Sequence, residues 1–248
     1  MASKTIDIKT ADGVCDSYVS HPDGGGSFPA VLFFMDGIGI RPQLRQMADR
    51  IAAEGYYVLL PNMFYRRGRA PVFDVATILK PENRPALTEL VLSLTPERVL
   101  RDAGLFLDLL AAQKEVRPGS KVGLTGYCMG GGMVVRTAAQ YPDRIAAGAS
   151  FHGGRLATEA PESPHRLAGK VRCRLYFGHA DQDPAMTTEQ IDRLDQALKA
   201  AGTVFAAELY TGALHGFTMA DLPVYNREAC DKHWRRLLDL FKETMGAG

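Results

Sequence analysis

The stretch that decides the fold is Lys121-Val-Gly-Leu-Thr-Gly-Tyr-Cys-Met-Gly-Gly-Gly-Met-Val-Val-Arg136, in which an apolar strand is followed by a glycine-rich turn and the start of a helix. The turn has the pattern Gly126-x-Cys128-x-Gly130. At such a turn the central residue has a strained backbone, and the chain passes so close to itself that the flanking positions need glycine. Gly131 then allows the helix to approach the sheet. The spacing predicts a nucleophile elbow with Cys128 at its tip.

The position of Cys128 also predicts its reactivity. At the start of a helix, the positive end of the helix dipole favours a thiolate, and backbone N–H groups can bind an oxyanion. The alternative interpretation is a buried structural cysteine beside a glycine-rich helix start, but the spacing directly after a strand favours a nucleophile. Cys15, Cys173 and Cys230 lack this context, so we expect them to be structural.

Composition narrows the class of protein. Of the 248 residues, 46% are hydrophobic and 23% are charged, as in an ordinary globular protein. The 29 Lys and Arg residues nearly balance the 28 Asp and Glu residues, so no net field recruits nucleic acid or an anionic membrane. The longest apolar run, residues 30–35, is far shorter than the roughly 20 residues of a membrane span. Because the start of the chain also lacks an apolar signal segment, we expect a cytoplasmic protein.

The remaining pattern predicts an α/β protein. Residues 5–10 and 14–20 are joined by Ala-Asp-Gly and predict an antiparallel N-terminal hairpin. Six buried apolar runs then alternate with amphipathic segments, which predicts a mostly parallel sheet flanked by helices. These runs are residues 30–35, 56–60, 121–125, 146–151, 175–178 and 205–210.

Helix starts are marked by capping residues. Thr95 followed by Pro96 begins one helix, Thr187 with Gln190 forms a capping box for another, and a closing helix is predicted from about Asn226. Residues 62–94 do not fit the alternation of strands and helices, because they contain three prolines, three closely spaced arginines and only weak helical periodicity. We therefore expect a single domain, residues 1–248, with a cap or lid insertion around residues 62–94.

Two later loops supply a candidate base and a candidate acid. An elbow nucleophile of this kind is followed along the chain first by an acid and then by a histidine, each on a loop after a later strand. Asp181 and Asp183 follow the run at residues 175–178, and His215 follows the run at residues 205–210. An imidazole can take the thiol proton and return it to a leaving alcohol, while a carboxylate fixes its tautomer. His215 fits that role, and either aspartate fits the other.

Taken together, Gly126-Tyr-Cys-Met-Gly-Gly, Asp183-Pro and His215-Gly-Phe resemble the dienelactone hydrolase family, and the agreement in order and spacing spans the chain. The resemblance implies an α/β-hydrolase fold with about eight strands. It also implies a triad of Cys128, His215 and Asp183, with no metal and no cofactor. The activity it implies is hydrolysis of an activated ester or unsaturated lactone through a thioester intermediate.

The resemblance implies further site residues. The N–H groups of Gly37 and Met129 would form the oxyanion hole. A carboxylate at the end of the first parallel strand, here Asp36, would contact the nucleophile and take part in its activation. Family members often have glutamate there, and aspartate is one methylene shorter. Asp36 therefore either activates Cys128 or only shapes the loop.

Substrate recognition departs from the family pattern. Dienelactone hydrolases proper have a carboxylate-binding arginine four residues after the catalytic histidine, and Met219 stands there in this chain. Arginines of the insertion, Arg84 among them, are candidate replacements, and Tyr127 and His152 are further candidates for contact with substrate. A neutral, partly apolar ester or lactone is therefore as plausible a substrate as the dienelactone.

Three alternatives to a cysteine-dependent ester or lactone hydrolase stay open. One is a general esterase or thioesterase without lactone preference, and another is a catalytically idle α/β-hydrolase scaffold that binds a small molecule. The third is a redox-sensing cysteine protein, since an exposed thiolate oxidises readily. We expect a small-molecule partner, no nucleic acid or membrane, and a monomer or small homo-oligomer.

Overall fold

The computed structural model describes residues 1–78 and 80–246. The chain begins with an antiparallel hairpin, β1 Ala2–Thr10 and β2 Gly13–His21, as predicted. Its turn lies between Thr10 and Gly13, and Gly13 has a φ of 139°, which a side chain would disfavour. Strand β2 then pairs antiparallel with β4, and this pairing joins the hairpin to the main sheet.

The other six strands form the parallel part of an eight-stranded sheet. They are β3 Ala30–Phe34, β4 Tyr57–Pro61, β5 Val122–Tyr127, β6 Ile145–Phe151, β7 Arg174–Gln182 and β8 Phe205–Leu214. The strand order is β1-β2-β4-β3-β5-β6-β7-β8, with β3 to β8 parallel to their neighbours. This arrangement confirms the predicted mostly parallel sheet of about eight strands. It also brings the carboxyl ends of β3, β5, β7 and β8 to one edge.

Helices cover both faces of the sheet. On one face, α1 Pro42–Ala53 and α7 Arg227–Met245 meet where the Arg50 guanidinium lies 4.3 Å from the centre of the Trp234 ring. On the other face lie α4, α5, α6 and a short 3-10 helix. Their bounds are α4 Pro96–Ala111, α5 Met129–Gln140, α6 Thr188–Ala200 and Pro164–Lys170 for the 3-10 helix.

The predicted caps start three of these helices. The Thr95 hydroxyl accepts a hydrogen bond from the N–H of Arg98, and the Thr187 hydroxyl accepts one from the N–H of Gln190. Asn226 caps α7 in the same way. Because each cap satisfies an N–H group that the helix leaves unpaired, these three helices begin where the sequence predicts.

The segment between β4 and α4 has its own short elements. After a buried start at Asn62–Tyr65, it forms α2 Val75–Ile78, a 3-10 turn Pro81–Asn83 and α3 Arg84–Leu92. Most of its residues are exposed or half-buried, and Val91 at the end of α3 lies against Gly37. A role for this segment as a cap stays a prediction. None of the helices in the described residues is both long and apolar enough to span a membrane.

Burial of the closing helix is expected to contribute strongly to stability. Leu237 on α7 is fully buried, whereas Leu92 on α3 is 68% exposed. We expect Leu237→Ala to lower the free energy of unfolding by about 2–5 kcal/mol, because it removes buried apolar surface and leaves a cavity. The matched change Leu92→Ala is expected to stay within about 0.5 kcal/mol of wild type. Urea unfolding measures both, and equal losses would contradict this assignment of the core.

Candidate active site

Cys128 occupies a strained turn between β5 and α5. Its φ of 55° and ψ of −118° lie outside the regions that residues with side chains ordinarily adopt. The two flanking glycines are required by sterics. A Cβ at Gly126 would collide with the carbonyl group of Gly130, and one at Gly130 would lie 2.6 Å from the carbonyl oxygen of Phe34. The local sequence therefore forces the cysteine outward at the tip of the turn.

Exposure separates Cys128 from the other cysteines. It is partly exposed, whereas Cys15, Cys173 and Cys230 are buried. Burial raises the pKa of the Cys15 thiol to about 12 and that of Cys173 to about 11, so both stay protonated at neutral pH. Only a partly exposed thiol at a helix start combines access with a favourable dipole.

His215 and Asp183 meet at the same edge of the sheet. Asp183 follows directly after β7 and His215 directly after β8. The distance from His215 Nδ1 to Asp183 Oδ2 is 2.6 Å, and the other carboxylate oxygen accepts the N–H of Ala185 at 2.8 Å. The Asp183 side chain is 1% exposed and that of His215 is 30% exposed. Asp181, by contrast, is exposed and accepts the N–H of Gly212. The buried carboxylate therefore fixes the orientation of a ring that solvent and ligands can reach.

The electrostatics favour a protonated His215. Burial alone would lower the pKa of His215, but its hydrogen bond with Asp183 and the proximity of Cys128, together with the charges of both groups, raise it to about 10. The structure therefore places His215, hydrogen-bonded to Asp183, close to Cys128. A cationic ring in this place stabilises negative charge on the neighbouring sulfur.

Two backbone N–H groups beside Cys128 are unoccupied. Gly37 lies in the loop after β3, and Met129 is the first residue of α5. Within the described residues, neither N–H donates a hydrogen bond to the protein. Because Gly130 packs against the carbonyls of Phe34 and Met35, these two turns lie side by side. Free N–H groups in such a place are suited to bind an oxyanion.

Asp36 is held by its own loop. Its Oδ1 accepts the N–H of Ile38 at 3.0 Å and that of Gly39 at 3.2 Å. The same oxygen lies 2.8 Å from Nη1 of Arg41, and the Asp36 side chain is 5% exposed. These contacts match the loop-shaping alternative. Among the described residues, no hydrogen bond joins Asp36 to Cys128.

His152 packs directly on His215. The two ring centres are 5.3 Å apart, and Nε2 of His152 is 2.7 Å from the Thr218 hydroxyl. Burial holds the pKa of His152 well below its ordinary value, with smaller contributions from the charges of His215 and His233. The ring is therefore neutral, and it buttresses His215 without adding a second positive charge.

The other predicted contacts with substrate have different surroundings. Tyr127 is fully buried, and its hydroxyl lies 2.8 Å from Nε2 of His233. Met219 is also fully buried. Arg84 is exposed at the start of α3, and Arg66 pairs with Asp12 and Asp102. Among the described residues, no hydrogen bond or ion pair joins any of these side chains to Cys128 or His215.

Sequence reasoning missed several residues that hold the site. Arg41 and Asp221 form an ion pair between two loops, Thr218 binds His152, and Gly154 lies against His215. The sequence feature that could have marked Arg41 is that it is the one charged residue in the stretch Gly37-Ile-Gly-Ile-Arg-Pro42. Its partners lie too far along the chain for local patterns to identify.

The fold and the cysteine turn together define an α/β-hydrolase architecture. A family model for the dienelactone hydrolase family matches residues 15–245. The chain belongs to the dienelactone hydrolase family, which is a family of hydrolases. No group of three or more His, Cys, Asp or Glu side chains in the described part of the chain is arranged to hold a metal ion.

Individual relatives agree with this assignment. A protein of Methylorubrum extorquens named "Putative carboxymethylenebutenolidase" is 30% identical to this chain, with 96% of this chain and 80% of that protein covered. The structure is similar to that of a "Putative Dienelactone Hydrolase" from Klebsiella pneumoniae, with a TM-score of 0.85 at 22% identity and 98% of each chain covered. It is also similar to a dienelactone hydrolase-like promiscuous phosphotriesterase from metagenomic libraries, with a TM-score of 0.82 at 25% identity and 99% of each chain covered.

The raised pKa of His215 gives stability a defined pH dependence. Between about pH 6.5 and about pH 10 the folded protein binds a proton at His215 that the unfolded chain releases. The contribution of His215 to the free energy of unfolding is therefore complete below about pH 6.5 and is lost as the pH rises to about 10. We expect the free energy of unfolding of wild type to fall more steeply from about pH 7 to about pH 9.5 than that of His215→Gln. Urea titrations at several pH values measure the two slopes. Parallel slopes would show that His215 is not protonated in this window.

Proposed function

We propose that the protein is a cysteine-dependent hydrolase of carboxylic esters or lactones that acts through a thioester acyl-enzyme. The observation that carries this proposal is the strained turn that holds a partly exposed Cys128 at the sheet edge where Asp183 and His215 are hydrogen-bonded. The family membership of the chain supports the same class of reaction. Each of the three side chains has a role in the two half-reactions.

In the first half-reaction, sulfur attacks the ester carbonyl. His215 holds the thiol proton, and the new C–S bond pushes electrons onto the carbonyl oxygen, where the N–H groups of Gly37 and Met129 stabilise the charge. When the carbonyl re-forms, the bond to the leaving oxygen breaks and His215 gives that oxygen its proton. The products are a thioester on Cys128 and an alcohol, which stays attached to the acyl group if the substrate is a lactone.

In the second half-reaction, water replaces the alcohol. His215, now neutral, takes a proton from water while the hydroxide equivalent attacks the thioester carbon. The C–S bond breaks, the carboxylic acid leaves, and sulfur returns as a thiolate beside a protonated His215. Asp183 keeps Nδ1 protonated throughout, so Nε2 is the nitrogen that exchanges protons. The pKa of His215, raised to about 10, suits this resting ion pair.

The surroundings of the site favour a neutral acyl group. The position where dienelactone hydrolases proper carry a carboxylate-binding arginine is held by Met219, which is buried. Val91 adds an apolar side chain beside Gly37, and Gly154 is packed against Ala185 next to His215. We therefore favour a neutral, partly apolar ester or lactone, with a general esterase or thioesterase as the second candidate. The cap role of residues 62–94, a cytoplasmic location and a monomer or small homo-oligomer stay predictions.

Removal of the nucleophile tests the proposal. We expect Cys128→Ala to lower kcat for p-nitrophenyl acetate by roughly 10⁴-fold or more, because no other group can form the acyl-enzyme. The control Cys173→Ala, a change at a buried cysteine, is expected to retain activity. Acid-quenched wild type should carry an acetyl group on the peptide that contains Cys128, as read by mass spectrometry. EDTA should be present throughout, and an unaltered rate in folded Cys128→Ala would overturn the cysteine mechanism.

Substrate preference needs a second comparison. The ratio of kcat/KM for a dienelactone to that for p-nitrophenyl acetate separates a lactone hydrolase from a general esterase, because only a lactone hydrolase has a site that favours a cyclic substrate. If folded wild type turns over neither compound, the idle-scaffold alternative takes first place.

A further inference from the structure

An ion triad lies beside the candidate site, with Arg41 and Asp36 buried and the Asp221 side chain 29% exposed. The Arg41 guanidinium binds two carboxylates, with Nη1 2.8 Å from Asp36 Oδ1 and Nε 2.6 Å from Asp221 Oδ2. Nη2 adds a second contact of 3.2 Å to Asp221, and Nη1 also donates to the carbonyl of Gly39. The side chains of Arg41 and Asp36 are 3% and 5% exposed. All three nitrogens of the guanidinium therefore donate hydrogen bonds to these partners.

The two carboxylates belong to the two loops that flank Cys128. Asp36 precedes Gly37, and its carboxylate also binds the N–H groups of Ile38 and Gly39. Asp221 lies six residues after His215 in a chain of tight turns. In these turns Met219 donates to the carbonyl of Gly216, and Leu222 donates to that of Met219. Arg41 is therefore a direct link between the Gly37 loop and the His215 loop.

We propose that Arg41 is a positioning residue that sets the Gly37 N–H at the distance an oxyanion needs, with the His215 loop as its anchor. The assignment rests on the proposed function. Oxyanion donors act at 2.7–3.1 Å, and displacements of about 1 Å can lower rates by about 100-fold. A planar fork that binds Asp221 through two nitrogens and Asp36 through the third fixes distance and angle together, which a single ammonium group cannot do.

Stability alone does not account for this arrangement. A buried ion pair gives up the hydration of its charges, and apolar residues of similar volume often serve stability as well or better. Burial alone would lower the pKa of Arg41. The carboxylates of Asp36 and Asp221 outweigh this effect and raise the pKa, so the guanidinium stays charged. What the triad adds is a fixed spacing between two loops that share no strand pairing.

Two reactions of Cys128 separate oxyanion positioning from general damage. Acetylation by p-nitrophenyl acetate passes through an oxyanion, whereas alkylation by iodoacetamide displaces iodide at a saturated carbon and forms none. Both reactions need the Cys128 sulfur and the neighbouring His215. Stopped-flow release of p-nitrophenol gives the acetylation rate, and mass spectrometry of the Cys128 peptide gives the alkylation rate.

The variants are Arg41→Met, Arg41→Lys and Asp221→Asn. We expect Arg41→Met to slow acetylation by about 10- to 100-fold, with smaller losses in the other two, because each weakens the link to a different degree. Alkylation should stay within about twofold of wild type. Arg66→Lys is the matched control, because Arg66 also joins two carboxylates, Asp12 and Asp102, but has no hydrogen bond or ion pair with the Gly37 loop or the His215 loop in the described residues. It should leave both rates unchanged.

Three other results would each contradict one part of the proposal. If folded Arg41→Lys and Asp221→Asn are acetylated at the wild-type rate, the proposed role of Arg41 is wrong, even if Arg41→Met fails to fold. Parallel losses of acetylation and alkylation, in variants that melt like wild type, show that Arg41 supports the whole site and overturn the oxyanion assignment. A wild type that is alkylated at Cys128 yet releases no p-nitrophenol overturns the proposed function, and the role of Arg41 with it.

Discussion

The backbone of Cys128 is the constraint on which the rest of the structure depends. A residue with a side chain at φ 55° and ψ −118° costs on the order of 1–3 kcal/mol, and the conformation persists only where its surroundings enforce it. Here β5 is paired on both sides, and α5 packs so closely that Gly126, Gly130 and Gly131 have no room for a Cβ. The packing of a central strand against a buried helix therefore offsets the strain. One consequence is that the sulfur, the start of α5 and the N–H of Met129 are fixed by the same contacts.

Electrostatics in this protein act through local pairs, since the net charge is only +1. Two partly buried charge systems lie at the same edge of the sheet. In one, Asp183 raises the pKa of His215 and fixes its ring, and in the other, Asp36 and Asp221 hold Arg41. His152 lies against His215 and stays neutral because it is buried. In this arrangement His215 is the residue that exchanges a proton at the candidate site, and the neighbouring charges of Arg41, Asp36 and Asp221 are paired with one another.

Local patterns were enough to predict the sheet and the capped helices, and chain order was enough to predict that Asp183 and His215 lie at the sheet edge that carries Cys128. The turn around Cys128 is specified within five residues, and Thr95 and Thr187 mark helix starts because capping is a contact between near neighbours. Partner choice was beyond such patterns: Arg41 pairs with Asp221 180 residues further along the chain. Tyr127 follows a different rule, because neighbouring residues of a strand face opposite ways and its side chain enters the core next to His233. Asp36 was predicted at the correct loop, but its hydrogen-bond partners depend on how that loop closes.

The strand that carries His215 lies at the rim of the sheet. Among the described strands β8 pairs with β7 alone, and α7 holds it from one face of the sheet, where Lys232 and Arg236 each lie 2.6 Å from the carboxylate of Glu208. Edge elements open locally at lower free energy than the centre of a domain. Fraying of β8 would carry His215 away from Cys128 while β3 to β6 stay intact. Thermal inactivation of this protein would then begin as a reversible detachment of one strand, well before the central sheet melts, and the closing helix would act as its clamp.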